Sequence, residues 1–234
     1  MAAERELALF DLDFTLIPFD SGMQWVRFLI AEGALEPGLD EAYLALCMRY
    51  VAGQGDAATL HRFVLRSLMG LSAEEASQWQ ARFALSLAGQ LPAGALEVVA
   101  SHQRAGHLCC IVTATTRSIA RPFADAFGVE HLIASEAARS ADGRFSGEIE
   151  GALCHGAAKL DRVRQWLERR GECLGDFART HFYSDSASDL PLLAAVSHPV
   201  AVSPDAGLRA RAEVLGWPTL AQLRPEGWPT RHPA

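Results

Sequence analysis

The sequence lacks several features that would place it in other classes of protein. Its 234 residues contain no apolar run approaching the ~20 residues that a membrane-spanning helix needs. There is no basic excess either, because 21 Lys and Arg residues face 28 Asp and Glu residues and the formal net charge is −7. We therefore expect no nucleic-acid partner and no membrane partner. The acidic start, Met-Ala-Ala-Glu-Arg-Glu, does not suit a secretory leader, so a cytoplasmic protein is expected.

Cysteine and lysine are both scarce. The five cysteines are odd in number and show no metal-type CxxC spacing, so we expect reduced thiols. Of the 21 basic residues, 20 are arginine and a single one, Lys159, is lysine. A lysine ammonium is compact enough to act as a point charge beside a small anion, where a wide guanidinium does not fit. Lys159 is therefore a candidate functional residue, although one exception among 21 also arises by chance.

Half of the residues are hydrophobic, which is enough for a substantial core and excludes a disordered chain. Short apolar runs such as Leu7 to Asp11 and His107 to Ala114 predict buried strands. Amphipathic stripes that end at Gly106 and Gly128 predict helices between the strands. This alternation predicts an α/β fold with a parallel sheet and helices on both faces. The alternating segment 144–149 predicts a strand near the sheet edge.

Residues 18–90 interrupt the alternation because they contain no convincing strand. Apolar residues recur there at helical spacing, and Ser72 with Glu75 has the spacing of a capping box. We therefore predict an insertion of about four helices after the first strand. The predicted domains are a helical cap over 18–90 and a core made of 1–17 and 91–234. Trp25 and Trp79 are expected in the core of the insertion, and the proline-containing tail from Arg224 is expected to be a surface extension.

Two aspartates end the first predicted strand, in the run Asp11-Leu12-Asp13-Phe14-Thr15. Residues i and i+2 of an extended chain point to the same side. The carboxyl ends of parallel strands are also where open α/β sheets bind ligands. Two close carboxylates need a cation or a shared proton, and a hard divalent ion such as Mg²⁺ suits oxygen ligands. A turn built by Asp13 and Thr15 explains the same residues without a ligand.

Three later segments place polar side chains at predicted strand ends or helix starts. Thr113 follows Ile111 and Val112, and a hydroxyl with backbone N–H groups at such a turn can hold phosphate oxygens. Lys159 lies in the first turn of a predicted helix. Asp185 can complete a metal site, and Asp189 can orient Lys159. Single members of this set also suit helix caps, but jointly they can hold a phosphoryl group beside a divalent ion.

On these motifs the chain resembles the haloacid dehalogenase-like phosphohydrolases. It looks closest to the phosphoserine-phosphatase-like branch, which includes histidinol-phosphate phosphatases. The matching segments are 11–15, Thr113, Lys159 and 185–189, and a helical cap after the first strand is also a family trait. The resemblance implies a Rossmann-like core and an Mg²⁺-dependent phosphatase of a small phosphorylated metabolite, acting through an aspartyl-phosphate. Phosphoserine and histidinol phosphate are the substrate classes expected first.

The resemblance also implies a role for each matched residue. Asp11 would be the nucleophile, and Asp13 would be the general acid and then the general base. Phosphate oxygens would be held by three residues: Thr113, Ala114 and Lys159. The metal would be bound by three residues: Asp11, Asp13 through its backbone carbonyl, and Asp185. Two residues would support the site from behind: Asp189 and Thr15.

Departures from the phosphoserine phosphatases leave the substrate open. Those enzymes usually carry Ser-Gly-Gly where this chain has Thr113, Ala114 and Thr115, and often an Asn where it has Ser188. Asp20 falls near the place of a Glu that reads the substrate's amino group, so it is a candidate for binding an ammonium. A substrate carboxylate would need an arginine of the cap, and three are available: Arg49, Arg62 and Arg66.

Two other function classes remain open on the sequence. A receiver-like signalling module also places acids, Thr and Lys around Mg²⁺, but it needs neither a large cap nor an acid/base group such as Asp13. A non-catalytic protein that kept the fold would bind a phosphometabolite without turnover. The oligomeric state cannot be derived from the sequence.

Overall fold

The computed structural model describes residues 5–220, and the predicted tail from Arg224 lies outside them. Seven strands of this range form one sheet in the order β4-β3-β2-β1-β5-β6-β7. The strands are β1 (Glu6–Phe10), β2 (Leu108–Thr116), β3 (His131–Arg139), β4 (Phe145–Glu150), β5 (Arg179–Ser184), β6 (His198–Val202) and β7 (Thr219–Leu220). The helices are α1 (Ser21–Ala31), α2 (Leu39–Val51), α3 (Ala57–Leu65), α4 (Ala73–Ser86), α5 (Ala93–Arg104), α6 (Arg117–Ala126), α7 (Ala157–Glu168), α8 (Leu190–Leu193) and α9 (Ala206–Leu215).

The sheet is parallel except at β4, which pairs antiparallel with β3. Residues of β1 alternate between two cores: Ala8 and Phe10 pack on one face, and Leu7 and Leu9 pack on the other. Both faces are covered, α5 and α6 lying on the first and α7, α8 and α9 on the second. A strand buried on both sides is apolar throughout, which explains the unbroken apolar run 7–10. The predicted α/β class with helices on both faces is confirmed.

The segment between β1 and α5 is helical, with α1 to α4 and a short 3-10 turn at Arg66–Leu68. Aromatic rings hold it together: Trp25 contacts Phe83 at 5.1 Å between ring centroids, and Phe83 contacts Phe123 of α6 at 5.6 Å. Trp25 is buried as predicted, whereas Trp79 is only partly buried against Phe28. The four predicted helices are present. Their apolar core continues into the sheet layer through α6, and the division into cap and core domains stays a prediction.

Two local predictions about the chain are confirmed. Ser72 and Glu75 form the capping box at the start of α4, each side chain bonding to the other's backbone N–H. The strand predicted over 144–149 is the edge strand β4, and Phe145 also exchanges two backbone hydrogen bonds with the helical segment. The sequence pattern missed β7, which has two residues. Among the described residues, no helix combines the length and apolarity that crossing a bilayer requires.

The strand order decides where a ligand can bind. From β1 the chain continues to β2 and β3 on one side of the sheet and later returns to β5 on the other side of β1. A crevice therefore opens at the carboxyl ends of β1, β2 and β5, at the point where the strand order reverses. The backbone N–H of Asp11 donates to the carbonyl of Tyr183 at 2.9 Å, which joins the ends of β1 and β5 at this crevice.

Candidate active site

Lys159 connects the ends of three chain segments at the crevice. Its Nζ donates to Asp11 Oδ1 and to Asp189 Oδ2, both at 2.7 Å. Asp11 follows β1, Lys159 lies in the first turn of α7, and Asp189 lies in the turn after β5. The three residues are 6%, 3% and 1% exposed. The structure thus brings together three of the residues that the sequence singled out, two of them 148 positions apart.

The charges of this network are set by burial and by each other. Burial lowers the pKa of Lys159, but the carboxylates of Asp11 and Asp189 outweigh it, so that pKa is raised and the ammonium persists. Burial raises the pKa of Asp11 to about 6, with Lys159 opposing the shift. At neutral pH Asp11 is therefore mainly a carboxylate held by a permanent cation, which is the state that a nucleophile needs.

Asp13 sits in a tight loop that follows β1. Three backbone N–H groups, those of residues 15, 16 and 17, donate to the carbonyl of Leu12, and Phe14 has a φ of 59°. The loop presents the Asp13 carboxyl to two donors: the N–H of Ser21 reaches Oδ1 and the hydroxyl of Thr115 reaches Oδ2, both at 2.9 Å. The start of α1 and the end of β2 therefore fix this side chain in one orientation.

Asp13 differs from Asp11 in its protonation. Its pKa is raised to about 8, mainly by desolvation and also by the negative charges of Asp20 and Asp11. These effects outweigh the hydrogen bonds from Ser21 and Thr115, which lower the pKa. At pH 7 the carboxyl of Asp13 therefore carries a proton, while that of Asp11 is mainly ionised. Two carboxyl groups with separated pKa values are typical of a site that divides nucleophilic and acid–base roles.

Asp185 lies close to Asp11 and shares a neighbour with it. The hydroxyl of Thr15 is 3.4 Å from Asp11 Oδ2 and 3.5 Å from Asp185 Oδ1. Thr15 and Asp185 are both buried, and the carbonyl of Asp185 accepts a hydrogen bond from the N–H of Asp205 at 2.8 Å. The two carboxylates thus flank one hydroxyl at the carboxyl ends of β1 and β5.

The donors of this site fit a hard divalent cation. The site contains four carboxyl groups, those of Asp11, Asp13, Asp185 and Asp189, and the ammonium of Lys159, which contacts Asp11 and Asp189. Even with Asp13 protonated, negative charge is in excess. In addition, Asp189 Oδ1 is buried without a hydrogen-bond partner in the described part of the chain. Oxygen donors, excess negative charge and an unsatisfied buried carboxylate oxygen suit Mg²⁺ or water bound to it.

The segment predicted to bind phosphate differs in detail from the sequence-based expectation. Strand β2 continues past Thr113 to Thr116, and the Thr113 hydroxyl accepts a hydrogen bond from the N–H of Thr115 at 3.1 Å. Thr113 is buried, whereas Ala114 is partly exposed beside it, its carbonyl accepting from Ser135. Helix α6 begins directly after this strand, so N–H groups at its start lie at the same sheet edge. The roles of Thr113 and Ala114 stay predictions.

Sequence reasoning missed two hydroxyl groups, of Thr115 and Ser184, and one backbone N–H, of Ser21, that hold the acids in place. Ser21 and Thr115 contact each other through their hydroxyls at 2.8 Å while both bind Asp13. Ser184, the last residue of β5, donates to Asp189 Oδ2 at 2.7 Å. The only available signal was position, because Ser184 directly precedes the Asp185 motif. Ser21 and Thr115 belong to segments 94 residues apart, so no local pattern pairs them.

Asp20, the residue predicted to bind a substrate ammonium, is already engaged in hydrogen bonds within the protein. Asp20 Oδ1 caps α1 by accepting from the N–H of Met23 at 2.7 Å, and it also accepts from the hydroxyl of Tyr43 at 3.1 Å. The Tyr43 hydroxyl also packs against Gly22, because a Cβ at position 22 would lie only 2.8 Å from it. Asp20 thus has structural hydrogen bonds, and its charge still acts on Asp13.

The three arginines considered for a substrate carboxylate are all exposed. Arg62 forms a surface ion pair, its Nε lying 2.8 Å from Glu148 Oε2 of β4. Arg49 and Arg66 lie on α2 and in the 3-10 turn after α3, respectively. An exposed guanidinium recognises a carboxylate weakly, because water screens the pair.

A hydrogen bond near the site joins the helical segment to the segment before α7. The Tyr50 hydroxyl, in the last turn of α2, lies 3.2 Å from His155 Nε2, four positions before Lys159. Burial lowers the pKa of His155, and Lys159 adds to the shift. Burial and the neighbouring His155 also lower the pKa of His61 to about 4. The two imidazoles are therefore neutral at pH 7 beside the site.

Comparison with known proteins places this geometry in a family. The sequence profile of the haloacid dehalogenase-like hydrolases matches residues 8–194. This range contains Lys159 and the four aspartates of the site, which are Asp11, Asp13, Asp185 and Asp189. The chain belongs to the haloacid dehalogenase-like hydrolase family. Within this family it falls in the branch of phosphoric monoester hydrolases that includes the phosphoserine phosphatases. The resemblance drawn from four short motifs is thereby confirmed.

Relatives in the family cover nearly the whole chain. Histidinol-phosphatase of Neisseria meningitidis is 37% identical over 218 residues, covering 92% of this chain and 98% of the relative. Phosphoserine phosphatase SerB1 of Mycobacterium tuberculosis is 31% identical over 215 residues, covering 90% and 68%. A solved structure of a Bordetella pertussis protein of unknown function is 42% identical with a TM-score of 0.85, covering 93% and 99%. A substrate-bound phosphoserine phosphatase, 18% identical with a TM-score of 0.64 and covering 89% and 90%, shares the fold.

Proposed function

We propose that the protein is an Mg²⁺-dependent phosphatase that hydrolyses histidinol phosphate through an aspartyl-phosphate on Asp11. The observation that carries the chemistry is the position of Lys159 Nζ, 2.7 Å from both Asp11 and Asp189. A carboxylate that attacks a phosphate dianion meets charge repulsion, and a fixed ammonium beside it lowers that cost. Asp189 accepts from the ammonium on the side away from Asp11, and the hydroxyl of Ser184 fixes the Asp189 carboxylate.

Asp13 supplies the proton chemistry in this proposal. With a pKa of about 8, its carboxyl is protonated at neutral pH and donates that proton to the leaving alkoxide as the ester bond breaks. The resulting Asp13 carboxylate then takes a proton from the water that attacks the phosphorus of the aspartyl-phosphate. Phosphate leaves, the Asp11 carboxylate is regenerated, and Asp13 is protonated again.

The metal and the phosphate have assigned positions as part of the proposal. Mg²⁺ is held by the carboxylates of Asp11 and Asp185 and by the backbone carbonyl of Asp13, with Asp189 and Thr15 supporting the site. When bound, the cation offsets the negative charge of the phosphoryl oxygens. Thr113, Ala114 and Lys159 hold those oxygens. The helices of residues 18–90 act as the cap over the core of 1–17 and 91–234, excluding water, and the cytoplasm is the proposed location.

Both candidate substrates carry an ammonium, for which Asp20 supplies a charge close to Asp13. Three observations favour histidinol phosphate over phosphoserine. Phosphoserine also carries a carboxylate, but the three candidate arginines are exposed and Arg62 is paired with Glu148. Tyr50 and the neutral imidazole of His155 beside the site offer a stacking and hydrogen-bonding surface for an uncharged ring. The relative with 37% identity is a histidinol-phosphatase.

The test is a comparison of kcat/KM for histidinol phosphate, phosphoserine and p-nitrophenyl phosphate, with Mg²⁺ and with a chelator. We expect activity that requires Mg²⁺, a preference for histidinol phosphate, and loss of turnover in Asp11→Asn. Preference for phosphoserine would refute the substrate while leaving the chemistry intact. Wild-type turnover in Asp11→Asn would refute the nucleophile. A stable phosphoprotein without turnover would instead favour the receiver-like alternative, and ligand binding without turnover a non-catalytic protein.

A further inference from the structure

A cluster of three histidines lies at the opposite edge of the sheet from the catalytic acids. His102 is in the last turn of α5, His107 directly precedes β2, and His181 is in β5. One ring nitrogen of each histidine lies within 4.8 Å of the others. Glu6, the first residue of β1, lies beside them. The acidic site follows the other end of β1, five residues and roughly 16 Å away along the strand.

The contacts within the cluster resemble those of a metal site without its ion. His102 Nδ1 lies 2.8 Å from His107 Nδ1, so two imidazole nitrogens share one proton. The remaining nitrogen of His102 is fixed by the hydroxyl of Tyr183 at 2.9 Å. Glu6 Oε2 lies 2.9 Å from His181 Nε2 and 3.5 Å from His107 Nε2. A carboxylate that bonds a ligating imidazole in this way is the usual outer partner of such a ligand.

We propose that His102, His107 and His181 form a second metal site, which takes a borderline transition-metal ion such as Zn²⁺ or Co²⁺. Imidazole nitrogens select these ions, whereas Mg²⁺ selects the all-oxygen donors of the catalytic site. The ion replaces the proton between His102 and His107. Glu6 supplies the negative charge that three neutral imidazoles lack.

The protonation states of the cluster agree with this geometry. Metal ligands must be neutral imidazoles, and burial lowers the pKa of His102 to about 4 and also lowers the pKa of His181. The hydrogen bond from His181 lowers the pKa of Glu6, so the carboxylate stays ionised. At neutral pH His102 and His181 are therefore already neutral before the ion binds.

The site is accessible, and it joins separate elements. The side chains of His107 and His181 are 18% and 15% exposed, and a cavity of about 390 Å³ lined by His181 and His198 opens beside them. The four residues come from α5, the start of β2, β5 and β1. A bound ion therefore cross-links elements that are far apart in sequence, and it stabilises the folded chain by an amount that grows with the logarithm of the ion concentration above its Kd.

The experiment titrates chelator-stripped wild-type protein with Co²⁺ and Zn²⁺ in excess Mg²⁺, which occupies the catalytic site. We expect one equivalent of Zn²⁺ per chain, an intense visible absorption with Co²⁺ from a four-coordinate ion bound by three imidazoles and one water, and a rise in melting temperature. His107→Gln and His181→Gln should each abolish these signals, and Glu6→Gln should weaken binding about 10–100-fold. His131→Gln, which alters a histidine that packs on Trp166 outside the cluster, is the control that keeps them.

Each outcome decides the proposal. Weak, octahedral-type Co²⁺ absorption in the wild type would show binding to oxygen donors and would overturn it without any variant. Unchanged Zn²⁺ binding in both histidine variants would also overturn it, as would the absence of bound Zn²⁺ in the wild type. Circular dichroism of the variants shows whether they fold. If one does not fold, the wild-type Co²⁺ spectrum and the other variants still decide the result.

Discussion

Replacement of Asp13 by Asn should stabilise the metal-free protein at neutral and alkaline pH, although it removes the proposed acid. The pKa of the folded Asp13 carboxyl is raised to about 8, whereas that of an unfolded Asp is about 3.9. Between these two values the folded chain binds a proton that the unfolded chain has released. The free energy of unfolding therefore falls as pH rises through this window, because the native state binds more protons. Asn has no titratable carboxyl, so the free energy of unfolding of the variant does not fall in this way.

The magnitude follows from the size of the shift. Linkage gives about 1.4 kcal/mol per pKa unit, so a shift of about four units sets an upper bound of about 6 kcal/mol at pH 8. Asp13 is only half-buried, and relaxation of the loop lets solvent reach the charge. We expect about 2–3 kcal/mol, which corresponds to roughly 4–12 °C in melting temperature for a chain of this size.

Asn is a suitable substitute because it preserves the hydrogen bonds. Its Oδ1 accepts from the N–H of Ser21, and its amide donates to the Thr115 hydroxyl, which can in turn donate to Ser21 Oγ. Only the charge is removed.

The assay is urea unfolding in chelator at pH 4.5, 7 and 8 for wild type, Asp13→Asn and the exposed control Asp161→Asn. The gain of Asp13→Asn should be small at pH 4.5, which lies less than one pH unit above the pKa of an unfolded Asp, about 3.9, and it should grow toward pH 8. An equal gain at all three values, or no gain at pH 8, would refute the reasoning.

Three further substitutions test the remaining contacts. Lys159→Arg should reduce turnover about 10²–10³-fold in steady-state assays with Mg²⁺, because a guanidinium does not fit the buried position between two carboxylates. Near-normal turnover would mean that any cation suffices. Asp189→Asn should lower the free energy of urea unfolding by about 3 kcal/mol, because Lys159 loses one of its two buried partners; a loss below 1 kcal/mol would contradict this. Tyr50→Phe should raise KM for histidinol phosphate with kcat unchanged, since it removes the bond to His155, and a fall in kcat alone would argue against a role in binding.

The parts of the site that sequence could predict are those with a local signature. Asp11, Asp13 and Asp185 each follow an apolar strand, and parallel strands bring their carboxyl ends to one edge. This rule places Asp11 near Asp185 without any knowledge of contacts. The lone Lys159 stood out by composition, and its helix start placed it at the same edge.

The parts that sequence could not predict depend on packing between distant segments. Thr115 binds Asp13 because β2 pairs with β1, and nothing in the run around Thr115 marks it over its neighbouring threonines. The histidine cluster is assembled from α5, the residue before β2, and β5, so its members have no ligand spacing along the chain. Arg62 meets Glu148 only because β4 lies at the edge beside the helical segment.

The most direct test of the account is to trap the phosphoenzyme. Asp13→Asn lacks both the acid that protonates a leaving alkoxide and the base that activates water. With ³²P-labelled p-nitrophenyl phosphate, whose phenolate leaves without an acid, acid quenching should therefore give protein labelled in an amount approaching one phosphoryl group per active site. The label should be released by hydroxylamine, as an acyl-phosphate is, and should map to the peptide that contains Asp11. Label on any other residue, or turnover with no label at Asp11 under single-turnover conditions, would contradict the account.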